Sequence, residues 1–124
     1  MKDKKPADSS GKKVTEENLL DISEFGRAKM VVAEVLEAER VENADKLLKL
    51  QINIGSEKRQ IIAGVAEYYT PEEITGKRIV VVINLKPATI RGVESNGMLL
   101  AAKKGKKLCL VVPEGDLPPG ASIG

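Results

Sequence analysis

Glu72 and Glu73 are adjacent carboxylates, and paired acids can divide the work of a general acid and a general base. They follow Thr70 and Pro71, however. Thr-Pro-Glu-Glu is the start signal of a helical turn, with Thr as the cap, Pro at the first helical position and a Glu three residues after the cap. Neighbouring acids at such a start favour the helix dipole rather than facing each other across a substrate. The sequence contains no histidine, which excludes imidazole-activated nucleophiles and the usual His-containing zinc sites. Its single cysteine, Cys109, rules out an internal disulfide, and the setting Leu108-Cys109-Leu110-Val111 predicts a small buried hydrophobe. No glycine-rich phosphate loop is present. The expectation is a binding protein with no catalytic residues, no metal and no cofactor.

Polar groups crowd instead into one stretch, Asn84-Leu85-Lys86-Pro87-Ala88-Thr89-Ile90-Arg91-Gly92-Val93-Glu94-Ser95-Asn96-Gly97-Met98. Composition leaves two readings of it open. It is a binding loop, or it is a structural connection in which Lys-Pro ends a strand and Asn96-Gly97 forms a hairpin turn.

Strands must position this stretch. Met30-Val31-Val32-Ala33-Glu34-Val35-Leu36 is too β-branched and too short for a helix. Leu48, Leu50, Ile52 and Ile54 alternate with Lys49, Gln51 and Asn53, which turns four aliphatics inward and three polar groups outward. Gly55-Ser56 turns the chain into a third strand over residues 59–64, and residues 79–83 are apolar throughout, as in a strand covered on both faces. Residues 98–102 and 108–112 predict two more strands joined by Lys103-Lys104-Gly105-Lys106-Lys107, a solvated turn by its composition. With no Trp, one Phe and two Tyr, the core must be aliphatic. Short strands at close spacing and one short helical turn after the third strand predict an all-β Greek-key barrel of the OB type, with a C-terminal extension around Pro118-Pro119-Gly120.

At 124 residues the chain makes one domain. Residues 1–20 read as a flexible tail or linker, because hardly any apolar residue precedes Leu19, and residues 21–124 read as the folded domain, opening on a short turn capped by Ser23 or Asp21. Net charge is +2, so the distribution of charge matters more than its sum. From Ile22 onward 15 Lys/Arg stand against 13 Asp/Glu, and the basic residues gather in particular loops and strand faces. No apolar run approaches the ~20 residues that span a bilayer, and the start lacks a secretory apolar segment; a cytoplasmic location without membrane attachment is expected.

Ala44-Asp45-Lys46-Leu47-Leu48, Tyr69-Thr70-Pro71-Glu72-Glu73 with Gly76-Lys77, Asn84-Leu85-Lys86-Pro87, and Glu94-Ser95-Asn96-Gly97-Met98 with Ala101-Ala102 resemble, in this order, the signature of the tRNA-binding domain family. That domain occurs at the C-terminus of many methionyl-tRNA synthetases and as free-standing tRNA-binding proteins. The resemblance covers residue 22 to the C-terminus. It implies an OB fold, usually a homodimer, that binds tRNA by shape and backbone, with a synthetase catalytic domain as a further partner in the same chain. Matching positions place Asn84, Lys86, Ser95 and Met98 on an RNA-facing surface, with Arg91 grouped beside them and Lys46 and Lys49 added for their charge and outward direction. Met98 has two open readings, against an exposed base or in the core. Lys29-Met30-Val31-Val32 departs from the Asp-Leu-Arg-Val usual in the family, which leaves an Asp and an Arg position changed to Lys and Val. Without an aromatic platform, stacked single-strand binding is disfavoured, whereas phosphate and 2′-hydroxyl contacts to folded RNA need none. A homodimeric peptide-binding or export chaperone is the alternative, since some proteins with this domain carry that role; a pure docking or dimerisation module is a third.

Overall fold

Leu48, Leu50 and Ile52 are fully buried on strand β2 (Ala44–Asn53), with Lys49, Gln51 and Asn53 turned to the half-buried opposite face, as a period of two requires. The structure is a computed structural model that describes residues 14–124. The tail expected over residues 1–20 therefore lies largely outside the described residues.

Strand β1 (Met30–Val41) runs past the expected end at Leu36. It pairs antiparallel with β2 from Glu34↔Asn53 to Val41↔Ala44, with irregularities at Val35/Glu37 and Arg40/Val41. Its first half pairs with β4 (Arg78–Val82), and bulges of this kind let one strand bend between two neighbours. Strand β3 (Lys58–Ala63) lies on the far side of β2, giving the spatial order β3-β2-β1-β4 of a Greek key. Ile79, Val80, Val81 and Val82 are all buried, in accord with a strand covered on both faces. Between β3 and β4, helix α2 (Pro71–Ile74) begins with the expected capping box. The Glu73 amide donates to Thr70 Oγ1 at 3.1 Å and the Thr70 amide to Glu73 Oε1 at 2.8 Å, and Ile74 seals the core beneath. Upstream, α1 (Ile22–Phe25) is capped at Asp21, whose amide donates to Glu24 Oε1.

Four expectations are corrected. The fold is mostly β, but the hydrogen-bonded ladder is not closed into a barrel: β3 and β7 (Met98–Leu99) are left as its two edges. The strand expected over residues 98–102 breaks at Leu100, whose amide donates to the Val80 carbonyl and whose carbonyl takes the Val111 amide, so the chain leaves the sheet there. It continues as a separate ribbon of β8 (Ala101–Lys104) and β9 (Lys107–Leu110), which draws Lys103, Lys104 and Lys107 into strands and leaves a two-residue turn. Cys109 is exposed, because alternation along Leu108-Cys109-Leu110 commits both leucines to the inner side. A hairpin of β5 (Ala88–Ile90) and β6 (Val93–Ser95) turns at Arg91-Gly92 and not at Asn96-Gly97. Gly97 serves a close approach instead: a Cβ there would lie 3.1 Å from the Val82 carbonyl oxygen and 3.3 Å from Ile61 Cγ2.

The C-terminal segment is pinned to its own sheet. Strand β10 (Ser122–Ile123) pairs with the start of β1, and the Gly120 amide donates to the Val32 carbonyl at 2.7 Å. Gly55 and Gly120 touch backbone to backbone, and a Cβ on Gly55 would stand 2.8 Å from Gly120 Cα. Gly76 has a similar φ, +93° against +97° at Gly55, but open space around it. Gly76→Ala should cost about 1–2 kcal/mol from backbone strain alone, and Gly55→Ala about 1–3 kcal/mol more from the clash. Urea unfolding of the pair checks this, and equal destabilisation would show that the glycine contact does not hold the C-terminal segment.

Candidate nucleic-acid interface

Two residues other than glycine adopt positive φ among the described residues, Asn43 at 62° and Arg91 at 53°. Asn tolerates the left-handed region because its side chain bonds locally, and Arg91 adopts it with Gly92 (φ 79°) to close a two-residue hairpin turn. Such conformations concentrate at functional sites. Both residues border the same cleft, of about 730 Å³, between the β1–β2 turn and the β5–β6 hairpin. Asn43, Asp45, Lys46 and Leu47 form one wall and Ile90 and Arg91 the other. Two cations and one carboxylate, Asp45, thus border a space with aliphatic surface between them, a net positive charge suited to an anion carried on an apolar body.

A second small core underlies the cleft. Val41, Ala44 and Ile62 are buried together, with Leu47 and Val93 packed against them, which ties the β1–β2 turn to the hairpin. Hydrogen bonds across the open edge of the sheet fix the same relation. The Ile62 amide donates to the Ser95 hydroxyl at 2.9 Å, the Asn96 amide to the Gln60 carbonyl at 2.8 Å, and Gln60 Nε2 to the Glu94 carbonyl at 2.8 Å. Arg59 Nη1 adds a 2.6 Å bond to the Ile83 carbonyl.

The expected site residues divide accordingly. Lys46 and Arg91 are brought together at the cleft. Lys86 is exposed just before the hairpin, and Met98 is 48% exposed on β7, which removes it from the core. Ser95 is 4% exposed, with its hydroxyl accepting from Ile62 and donating to the Gly97 carbonyl at 3.2 Å, so the group expected at the surface acts inside the seam. Asn84 is engaged with the segment before β1: its Oδ1 accepts from the Lys29 amide at 2.7 Å and its Nδ2 donates to the Arg27 carbonyl at 2.6 Å. Lys49 is ion-paired with Glu39 at 2.9 Å and borders a different, smaller cleft with Glu37 and Gln51. Sequence reasoning misses Arg59 and Gln60. Their signal is the polar run Lys58-Arg59-Gln60 at the start of a strand whose later residues are buried, with Gln60 opposite Gln51 and joined to it at 2.9 Å.

A mostly-β module with a cleft bordered by Lys46, Arg91 and Asp45 has the form of a small binding domain. The chain belongs to the family described as "Putative tRNA binding domain", whose model matches residues 30–122. It is 55% identical over 108 residues to a methionine–tRNA ligase of Thermotoga maritima, covering 87% of this chain and 17% of that enzyme. It is 52% identical over 105 residues to the ligase of Methanococcus aeolicus, covering 85% of this chain and 16% of that one. The chain therefore spans less than a fifth of the length of these relatives. Among solved structures, the MetRS related protein of Pyrococcus horikoshii superimposes with a TM-score of 0.81 at 39% identity, covering 86% of this chain and 98% of that one. The CsaA chaperone protein of Picrophilus torridus superimposes with a TM-score of 0.79 at 26% identity, covering 86% and 100%.

Removing the Ser95 hydroxyl strands the buried Ile62 amide, so Ser95→Ala should cost about 1–3 kcal/mol. Hydrogen exchange at Ile62 should quicken more than at Leu50. Unchanged exchange and melting would remove Ser95 from the seam.

Proposed function

We propose that this chain is a non-catalytic tRNA-binding module whose cleft between the β1–β2 turn and the β5–β6 hairpin receives the RNA. The observation that carries this reading is the convergence of Lys46 and Arg91 on one cleft from two turns held by a shared core. Greek-key barrels of the OB type bind oligonucleotides at the corresponding loops, and we take the fold as an OB variant with an unlaced seam. Lys46 and Arg91 meet phosphates, Lys86 and Met98 extend the contact, and Asn84 and Ser95 act by fixing the loops. Lys49, held by Glu39, contributes least. Residues 1–20 serve as a linker and residues 21–124 as the binding domain, working in the cytoplasm alone or joined to a methionyl-tRNA synthetase catalytic domain. Among the described residues no helix is long and apolar enough to cross a membrane.

Lys46→Gln and Arg91→Asn remove charge, and Asn suits the left-handed backbone at position 91. Each should make the salt dependence of tRNA binding shallower, the slope falling by roughly 0.7–0.9 for every phosphate that no longer meets a cation. Fluorescence titration at several salt concentrations measures it. Wild-type affinity and slope in the double variant, with normal melting, would refute the cleft as the site.

The module works as a homodimer in this reading. An apolar groove of about 610 Å³ lies among Ile22, Phe25, Met30, Ile83 and Ile123, and Ile22 and Phe25 are 89% and 52% exposed. Burying such side chains against a second copy would stabilise by about 1.5–3 kcal/mol each. Light scattering should give a dimer, and a monomer for Ile22→Asp with Phe25→Asp. A wild-type monomer that captures unfolded peptides through this groove would favour the chaperone role seen in name in the Picrophilus relative.

A further inference from the structure

We propose that the β8–β9 ribbon is a second contact for RNA backbone, separate from the cleft. Residues 101–110 contain four lysines and no acid. Pairing of the two strands sets Lys104 directly opposite Lys107, a cross-strand placement of like charge that destabilises a hairpin in isolation. Lys103 stands opposite Leu108, and Lys106 shares the turn with Gly105. All four lysines are exposed, and a Cβ built on Gly105 would meet nothing within 4 Å, so the tip stands clear of the rest of the fold.

The two faces of the ribbon differ. Leu110 is buried and Leu108 half-buried, and the Leu110 amide donates to the Tyr69 hydroxyl at 3.2 Å, which seats the inner face on the core. The outer face carries the Ala102–Cys109 pair followed by the Lys104–Lys107 pair, all exposed. Small residues behind two opposed ammonium groups let a charged backbone approach closely. A solvated hairpin tip would need only polar residues; concentrating like charge on a rigid ribbon becomes favourable when a polyanion supplies the opposite sign. Lysine ammoniums act as point charges without the fixed fork that selects particular carboxylates, and neither the cleft nor the apolar groove includes a residue of the ribbon. Point charges suit evenly spaced charge of either kind, and the match to the tRNA binding domain family commits the ribbon to phosphates over an acidic peptide. The proposal rests on the RNA-binding reading but on none of the cleft residues.

The test combines Lys103→Ser, Lys104→Ser, Lys106→Ser and Lys107→Ser in the full chain, with a second variant carrying four Lys→Arg changes. Both are titrated against tRNA, a blunt RNA duplex and polyglutamate at several salt concentrations. With two or more phosphates no longer neutralised, the slope should become shallower by roughly 1.4–1.8 for both RNAs, and the Arg variant should keep the wild-type slope. A wild-type slope in the folded Ser variant would overturn the ribbon and leave the cleft standing. Abolished polyglutamate binding with RNA binding intact would overturn it in favour of an acidic protein. If Lys46→Gln and Arg91→Asn have no effect while the Ser variant does, the cleft fails and the ribbon stands; a wild-type chain that binds neither RNA refutes both.

Discussion

The hydrogen bond from the Ile62 amide to the Ser95 hydroxyl occupies the place where a strand ladder would have closed this fold. β3 is an edge strand, and an edge leaves amides and carbonyls that must find partners when buried. Here a side chain, a loop amide and the Gln60 and Arg59 side chains do that work in place of a strand. A seam made of side-chain bonds does not dictate a continuous register. The chain between β4 and β7 is thereby released to form the β5–β6 hairpin without leaving the sheet unsatisfied.

The cleft follows from that release. Val93 on β6 and Leu47 on β2 meet over Val41, Ala44 and Ile62, so hairpin and β1–β2 turn share one apolar floor. Arg91 and Lys46 can then project charge into a common space while their backbones are held by packing that neither side chain makes. Separation of support from contact explains why Ser95 and Asn84, polar residues in the motif-bearing stretch, are spent on the protein itself. It also limits what +2 of net charge means, since the local arrangement of cations is set by the seam and the turns.

Elements governed by local rules are legible in the sequence. Alternation along β2, the Thr70 capping box and the fully apolar β4 follow from periodicity and capping, which need only neighbouring residues. What escapes a sequence reading depends on distant contacts. Asn96-Gly97 has the composition of a hairpin turn, yet Gly97 is needed against Val82 and Ile61, and the turn falls to Arg91-Gly92. Cys109 has apolar neighbours, and only the seating of Leu108 and Leu110 on the core shows that it faces outward. For the candidate site, charge and motif are enough to name Lys46 and Arg91, but not to show that they converge. Ser95 and Asn84 stand out in the sequence as important residues, yet Ser95 is buried in the seam and Asn84, though exposed, has its amide turned to the Arg27 and Lys29 backbone, because a motif records that a residue type matters and not which way its oxygen points.

The pairing of β10 with the start of β1 has a mechanical consequence. Met30 lies opposite Ile123, so the chain enters β1 and leaves β10 at the same end of an antiparallel pair. Tension applied between the two ends therefore loads these hydrogen bonds one at a time, as in peeling a zipper, and not all together, as in shearing a lap joint. The short β10 strand would give way first, at low force, and the glycine contact between Gly55 and Gly120 would be the next point to carry load. The other end of the pull enters β1, which β4 holds on its far side from Met30 to Glu34, a longer pairing than β10 offers, so the tether would yield before the sheet that holds the cleft.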